Sequence, residues 1–104
     1  MSGSGGGGPY GASSGSPESC DIVERVPLNS VQGDALEKIK VGDSLDVEVQ
    51  SNSLVAKAES GVVVGSLTPS RLAAFLSCIA KGHEYCAIVV TLRGAFVEVE
   101  IRPR

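Results

Sequence analysis

Leu45, Val47 and Val49 alternate with Asp46, Glu48 and Gln50. A period of two turns one side of a strand to a core and the other to water. Val97, Val99 and Ile101 repeat the pattern against Glu98, Glu100 and Arg102, so 95–102 reads as a second half-buried strand. Other runs are more uniformly apolar. Residues 62–67 (VVVGSL) and 85–92 read as strands covered on both sides, the second of them central. Asp21 to Val26 is a β-branched run closed by Pro27 and followed by a turn cluster to Ser30. Residues 54–58 complete a set of six strands.

The punctuation between these runs predicts how they connect. Ser51-Asn52-Ser53, Glu59-Ser60-Gly61 and Arg93-Gly94 are short turns that make hairpins. Two connections are longer and helical. Ser30 or Asp34 is placed to cap a short helix over 33–39, with Ala35, Leu36 and Ile39 as its apolar side. Thr68 and Pro69 suit the N-cap and first position of a second helix. There Leu72, Phe75, Leu76 and Ile79 form one stripe at i, i+3, i+4 and i+7, and Gly82 ends it. The stripe is expected to meet Val47, Val62, Val64, Ile88 and Val97 or their same-face neighbours. The order is β-α-β-β-β-α-β-β. Six short strands in 85 residues predict a mainly β (α+β) fold, a small, partly closed antiparallel β-barrel with two helices. The alternative is an open α+β sheet with both helices on one face.

Residues 1–19 hold seven Gly, six Ser and two Pro. Such a stretch cannot offset its ordering entropy, so it is expected to be a disordered tail, with one domain over residues 20–104. The N-terminus has no charged, apolar leader, which makes the cytoplasm the expected location. No apolar run is long enough to span a bilayer, and no membrane partner is expected. Cys20, Cys78 and Cys86 are an odd set in a small chain and are expected to be reduced thiols packed as apolar residues.

Formal net charge is −3, from nine Lys+Arg against twelve Asp+Glu, which excludes a strongly basic nucleic-acid coat protein. The chain has one His, no nucleophile elbow and no phosphate loop, so no enzyme is expected. Cys78-x4-His83-x2-Cys86 sets three metal-ligand types within nine residues, with Cys20, Glu84 or Asp21 as sources of a fourth. Core cysteines beside an exposed His83 is the reading adopted, with no metal and no cofactor.

The segment from Gly61 to Gly94 resembles the HIRAN domain family. The resemblance is carried by Gly61-Val62-Val63-Val64-Gly65-Ser66-Leu67-Thr68-Pro69, similar to that family's "G-x-x-V-G-x-L-P" strand. Arg71-Leu72-Ala73-Ala74-Phe75-Leu76 is similar to its helix, and Ala87-Ile88-Val89-Val90 to the strand after it. The family's Asn-Pro-x-Asp-x-x-Ala-Val stretch is absent. The resemblance implies a small β-barrel and single-stranded DNA or DNA-end binding.

Binding single strands takes cations and stacking rings. Tyr85 and Phe96 are the candidate rings, and Arg71 and Arg93 the candidate cations, expected on one electropositive patch. A helix start at Thr68–Arg71 would offer free N–H groups to a phosphate. Outward Asp46, Glu48, Glu98 and Glu100 oppose that use. A monomeric, non-catalytic module contacting a protein partner through Arg71, Arg93, Phe96 and Tyr85 is therefore the leading reading, with single-stranded DNA as the alternative.

Overall fold

Ser51 and Asn52 both have positive φ, 51° and 63°, in the computed structural model, which describes residues 20–104. Two consecutive left-handed residues make a type I′ turn, whose twist matches that of the flanking strands. The hairpin is therefore one residue tighter than the sequence suggests, with Ser53 paired to Gln50. Gly94, at φ 56°, opens the other two-residue turn, and Arg93 pairs with Phe96 across it.

The elements are β1 (Glu24–Asn29), α1 (Gly33–Leu36), β2 (Ser44–Gln50), β3 (Ser53–Lys57), β4 (Val63–Leu67), α2 (Leu72–Ala80), β5 (Tyr85–Arg93) and β6 (Phe96–Pro103). Their order matches the expectation. The strands form a closed antiparallel barrel, β1-β4-β3-β2-β5-β6. Closure is complete rather than partial, because β1 serves two neighbours. Glu24 to Pro27 pair with β6, and Leu28 and Asn29 pair with β4. Pro27 was expected to end this strand, yet it lies inside. It occupies the last pair with β6, where the ladder changes partner and a missing N–H costs little.

The interior is filled by aliphatic side chains. Leu54, Ala56, Val64, Ala87, Val97, Val99 and Ile101 are fully buried. Each buried Val, Leu or Ile contributes about 1.5–3 kcal/mol relative to an exposed one. Three positions depart from the expected core. Val62 precedes β4 and is exposed. Val49 is exposed because β5 pairs only with Ser44 to Asp46, so the tip of the β2–β3 hairpin runs past its neighbour. Ile88 is only partly buried, since the pairs Ala87–Ile101 and Val89–Val99 turn its neighbours inward. The continuous apolar run left that parity open.

Phe75 and Cys78 anchor α2 in the core, while Leu72, Leu76 and Ile79 are half-buried. Its C-terminus is a Schellman motif. Gly82, at φ 101°, donates to the Ile79 carbonyl at 3.0 Å, and His83 donates to the Cys78 carbonyl at 3.0 Å. The first helix is a single turn. Neither Ser30 nor Asp34 is its cap; Gln32 holds that position without a side-chain bond. Ala35 and Ile39 are nonetheless buried as expected.

A disulfide joins Cys20 to Cys78, with Cα atoms 5.8 Å apart. This corrects the expectation of three free thiols. Cys86 alone is free, and it is buried on β5. The signal was weak in sequence because 58 residues separate the pair, and only the folded barrel brings the start of the domain to α2. The expected disorder of residues 1–19 lies outside the described residues.

Candidate functional site

Two regions hold the chemistry that the sequence singled out, and the start of α2 is the first. The helix begins at Leu72, with Arg71 as N-cap, instead of near Thr68. The N–H groups just before it are taken by Glu24 of β1. Ser70 N–H donates to Glu24 Oε2 at 2.7 Å, the Ser70 hydroxyl donates to the same oxygen at 2.9 Å, and Arg71 N–H donates to Oε1 at 3.3 Å. Burial alone would raise the Glu24 carboxyl pKa. The Ser70 N–H and hydroxyl, the Arg71 N–H and the Arg71 charge outweigh it and hold the pKa below its ordinary value. The chain's own carboxylate thus fills the place that the alternative, DNA-binding reading offers to a phosphate.

The second region is the β5–β6 hairpin tip. Phe96 is 48% exposed, as its parity with Glu98 and Glu100 requires, and Arg93 stands opposite it, also exposed. Arg71 is not their neighbour. Its N–H rests on Glu24, which pairs with Ile101, five residues along β6 from Phe96, about 17 Å of strand. The expected joint patch of Arg71 and Arg93 is not assembled. Tyr85 is not at the surface either. It is 1% exposed, its ring meets Phe75 edge-on at 5.0 Å, and its hydroxyl donates to the Cys20 carbonyl. Burial first, then the charge of Asp21, raises its pKa, so the phenol keeps its proton. Tyr85 is a core residue in place of the contact residue expected.

Much of the remaining positive charge is spent on the barrel wall. Arg25 and Arg102 both reach Glu100, Lys57 pairs with Glu48, and Arg104 with Asp46. Cys78 is no longer available as a thiolate, so the Cys78, His83, Cys86 spacing does not make a ligand set. Among the described residues no group of three His, Cys, Asp or Glu side chains is arranged to hold a metal ion.

The third region was not foreseen. A cleft of about 550 Å³ opens between α1, the start of β2 and the β3–β4 turn. Ala35, Ile39, Leu45 and Val64 form its apolar floor. Asp34, Lys38, Asp43 and Glu59 stand on its rim, and exposed Val62 forms one wall. The size is within the range of ligand-binding clefts. The rim residues come from α1 and separate turns that look like plain surface in the sequence, and the floor residues read only as core. Only barrel closure gathers them.

No family model matches the chain, and no curated protein does. The fold has a solved counterpart. It is similar to the crystal structure of a protein from Lactobacillus plantarum, with a TM-score of 0.66 and 12% sequence identity, over 79% of this chain and 95% of that one. At that identity the likeness carries the barrel fold alone. No helix among the described residues is long and apolar enough to cross a membrane.

Proposed function

We propose that the domain is a non-catalytic binding module that contacts a protein partner. The observation that carries this reading is Glu24 on the Ser70 and Arg71 N–H groups. A carboxylate bound just before α2 repels phosphate from that helix end and occupies the two N–H groups that precede it. The paired cations on the wall add to the argument, since Arg25, Lys57, Arg102 and Arg104 each lie against a carboxylate. A strand of nucleic acid has little uninterrupted positive surface to follow. The disulfide bears on where the module works. Disulfides persist in oxidising compartments, so Cys20–Cys78 favours such a compartment over the cytoplasm that the N-terminal sequence suggests.

One observation favours the second reading, HIRAN-like binding of single-stranded DNA. Phe96 is an exposed ring with an arginine, Arg93, across the hairpin from it, a pair able to stack on a base and meet its phosphate. Fluorescence anisotropy with single- and double-stranded oligonucleotides separates the two. The protein-binding reading expects no binding even at low salt. Salt-sensitive binding that is lost in Arg93→Glu and Phe96→Ala would replace it with the DNA reading.

A further inference from the structure

We infer that the cleft beside α1 is the partner site, and that its partner is a short peptide segment with a Lys or Arg next to an aliphatic residue. This rests on the protein-binding reading above and goes further, by giving the place and the chemistry.

The rim supplies the charge argument. Asp34, Asp43 and Glu59 bring three carboxylates to the cleft against one cation, Lys38. Asp43 is held in place, because its Oδ2 accepts the Lys40 N–H at 2.9 Å and its carbonyl accepts the Val89 N–H at 2.9 Å. Asp34 and Glu59 are exposed and stand on different elements. A cation between them is attracted from two sides, and an anion is repelled.

The floor supplies the second half of the recognition. Apolar side chains lie below the carboxylates, and Val62 is 53% exposed at the wall. Val41, 61% exposed, lies two residues before Asp43. Among the described residues, two of the five exposed large apolar residues are thus in or next to this cleft. An aliphatic side chain seated on Val62 removes apolar surface from water while its basic neighbour reaches the rim. A lone small cation would not use the floor, and a purely apolar segment would desolvate the carboxylates without pairing them.

The chain's own residues 1–19 are a poor occupant. They contain no Lys or Arg and no Leu, Ile or Val. A second copy is disfavoured by its acidic net charge of −3. A basic segment of another protein is the remaining fit.

The test is selection of phage-displayed random heptapeptides on the full, disulfide-bonded chain, with the Asp34→Lys/Glu59→Lys variant as counter-selection. The expected result is enrichment of peptides with Lys or Arg beside Leu, Ile or Val. A synthetic selected peptide should shift the Lys38, Glu59, Ser60 and Val62 amides in a nitrogen-15 titration. Its affinity should fall at least tenfold in the charge-reversed variant and in Val62→Asp. Circular dichroism melts of both variants would show that the fold is kept. Enrichment of acidic or neutral peptides that shift the same amides would overturn the inference and leave the protein-binding reading standing. Peptides that shift only residues elsewhere, or the absence of any enrichment over the variant, would overturn it too. Binding of an oligonucleotide with no peptide selected would overturn both.

Discussion

Tyr85 has its hydroxyl on the Cys20 carbonyl and its ring against Phe75. Tyr85→Phe keeps the ring contact and removes one hydrogen bond, so it should cost about 1 kcal/mol in a urea melt. Phe75→Ala removes a fully buried ring and should cost roughly 3–5 kcal/mol. Equal losses in the two variants would mean that the hydroxyl, rather than the ring packing, holds this corner of the core. Gly65 is a second residue whose identity is fixed by its surroundings. A Cβ there would lie 2.8 Å from the Asn29 carbonyl oxygen and 3.4 Å from a Leu28 methyl. Gly65→Ala should force β1 away from β4 and cost about 1–3 kcal/mol, although alanine normally favours a strand no less than glycine does. An unchanged melt would show that β1 can shift freely. Neither role was visible in the sequence. Tyr85 meets a carbonyl 65 residues away, and the glycine is set by a strand some 36 positions earlier in the chain, about the distance from Asn29 to Gly65.

Hairpins and helix ends were legible where their chemistry is local. Gly82 closes α2 with bonds that stay within six residues, and Gly94 opens the β5–β6 turn. The alternation in 97–101 placed Val97, Val99 and Ile101 in the core correctly. The start of α2 was misplaced because its cap comes from Glu24, 46 residues before Ser70. No local rule finds such a partner. This cap also predicts a pH dependence. The Glu24 pKa is lowered in the folded chain, so the cap contributes fully above the ordinary carboxylate range. The contribution is lost as pH falls through the lowered folded value. Melts of the wild type should therefore weaken on acidification below about pH 4.5 more than those of Glu24→Gln, which has no charge to lose there. Parallel acid limbs in the two proteins would show that the carboxylate charge adds nothing to the cap.

At the scale of the molecule, closure depends on residues far apart in sequence. β1 must pair with β6 from the other end of the domain, and the disulfide fixes the chain just before β1 to α2. A domain of this size buries a limited core, and a covalent staple is a common supplement. Cross-linking across 58 residues removes loop entropy from the unfolded chain, typically worth about 2–4 kcal/mol. Reduction should lower the urea midpoint accordingly, and Cys20→Ser/Cys78→Ser should fall at or below the reduced wild type, because Cys78 is buried and a hydroxyl there adds its own penalty. Cys86→Ser should also lose stability, because Cys86 is buried and its replacement puts a hydroxyl in an apolar place. The effect of reductant on each midpoint therefore separates the staple from the side-chain change. Dithiothreitol should move the midpoint of Cys86→Ser as far as that of the wild type, and should leave Cys20→Ser/Cys78→Ser where it was. A wild-type midpoint indifferent to reductant would mean that the barrel closes without the staple.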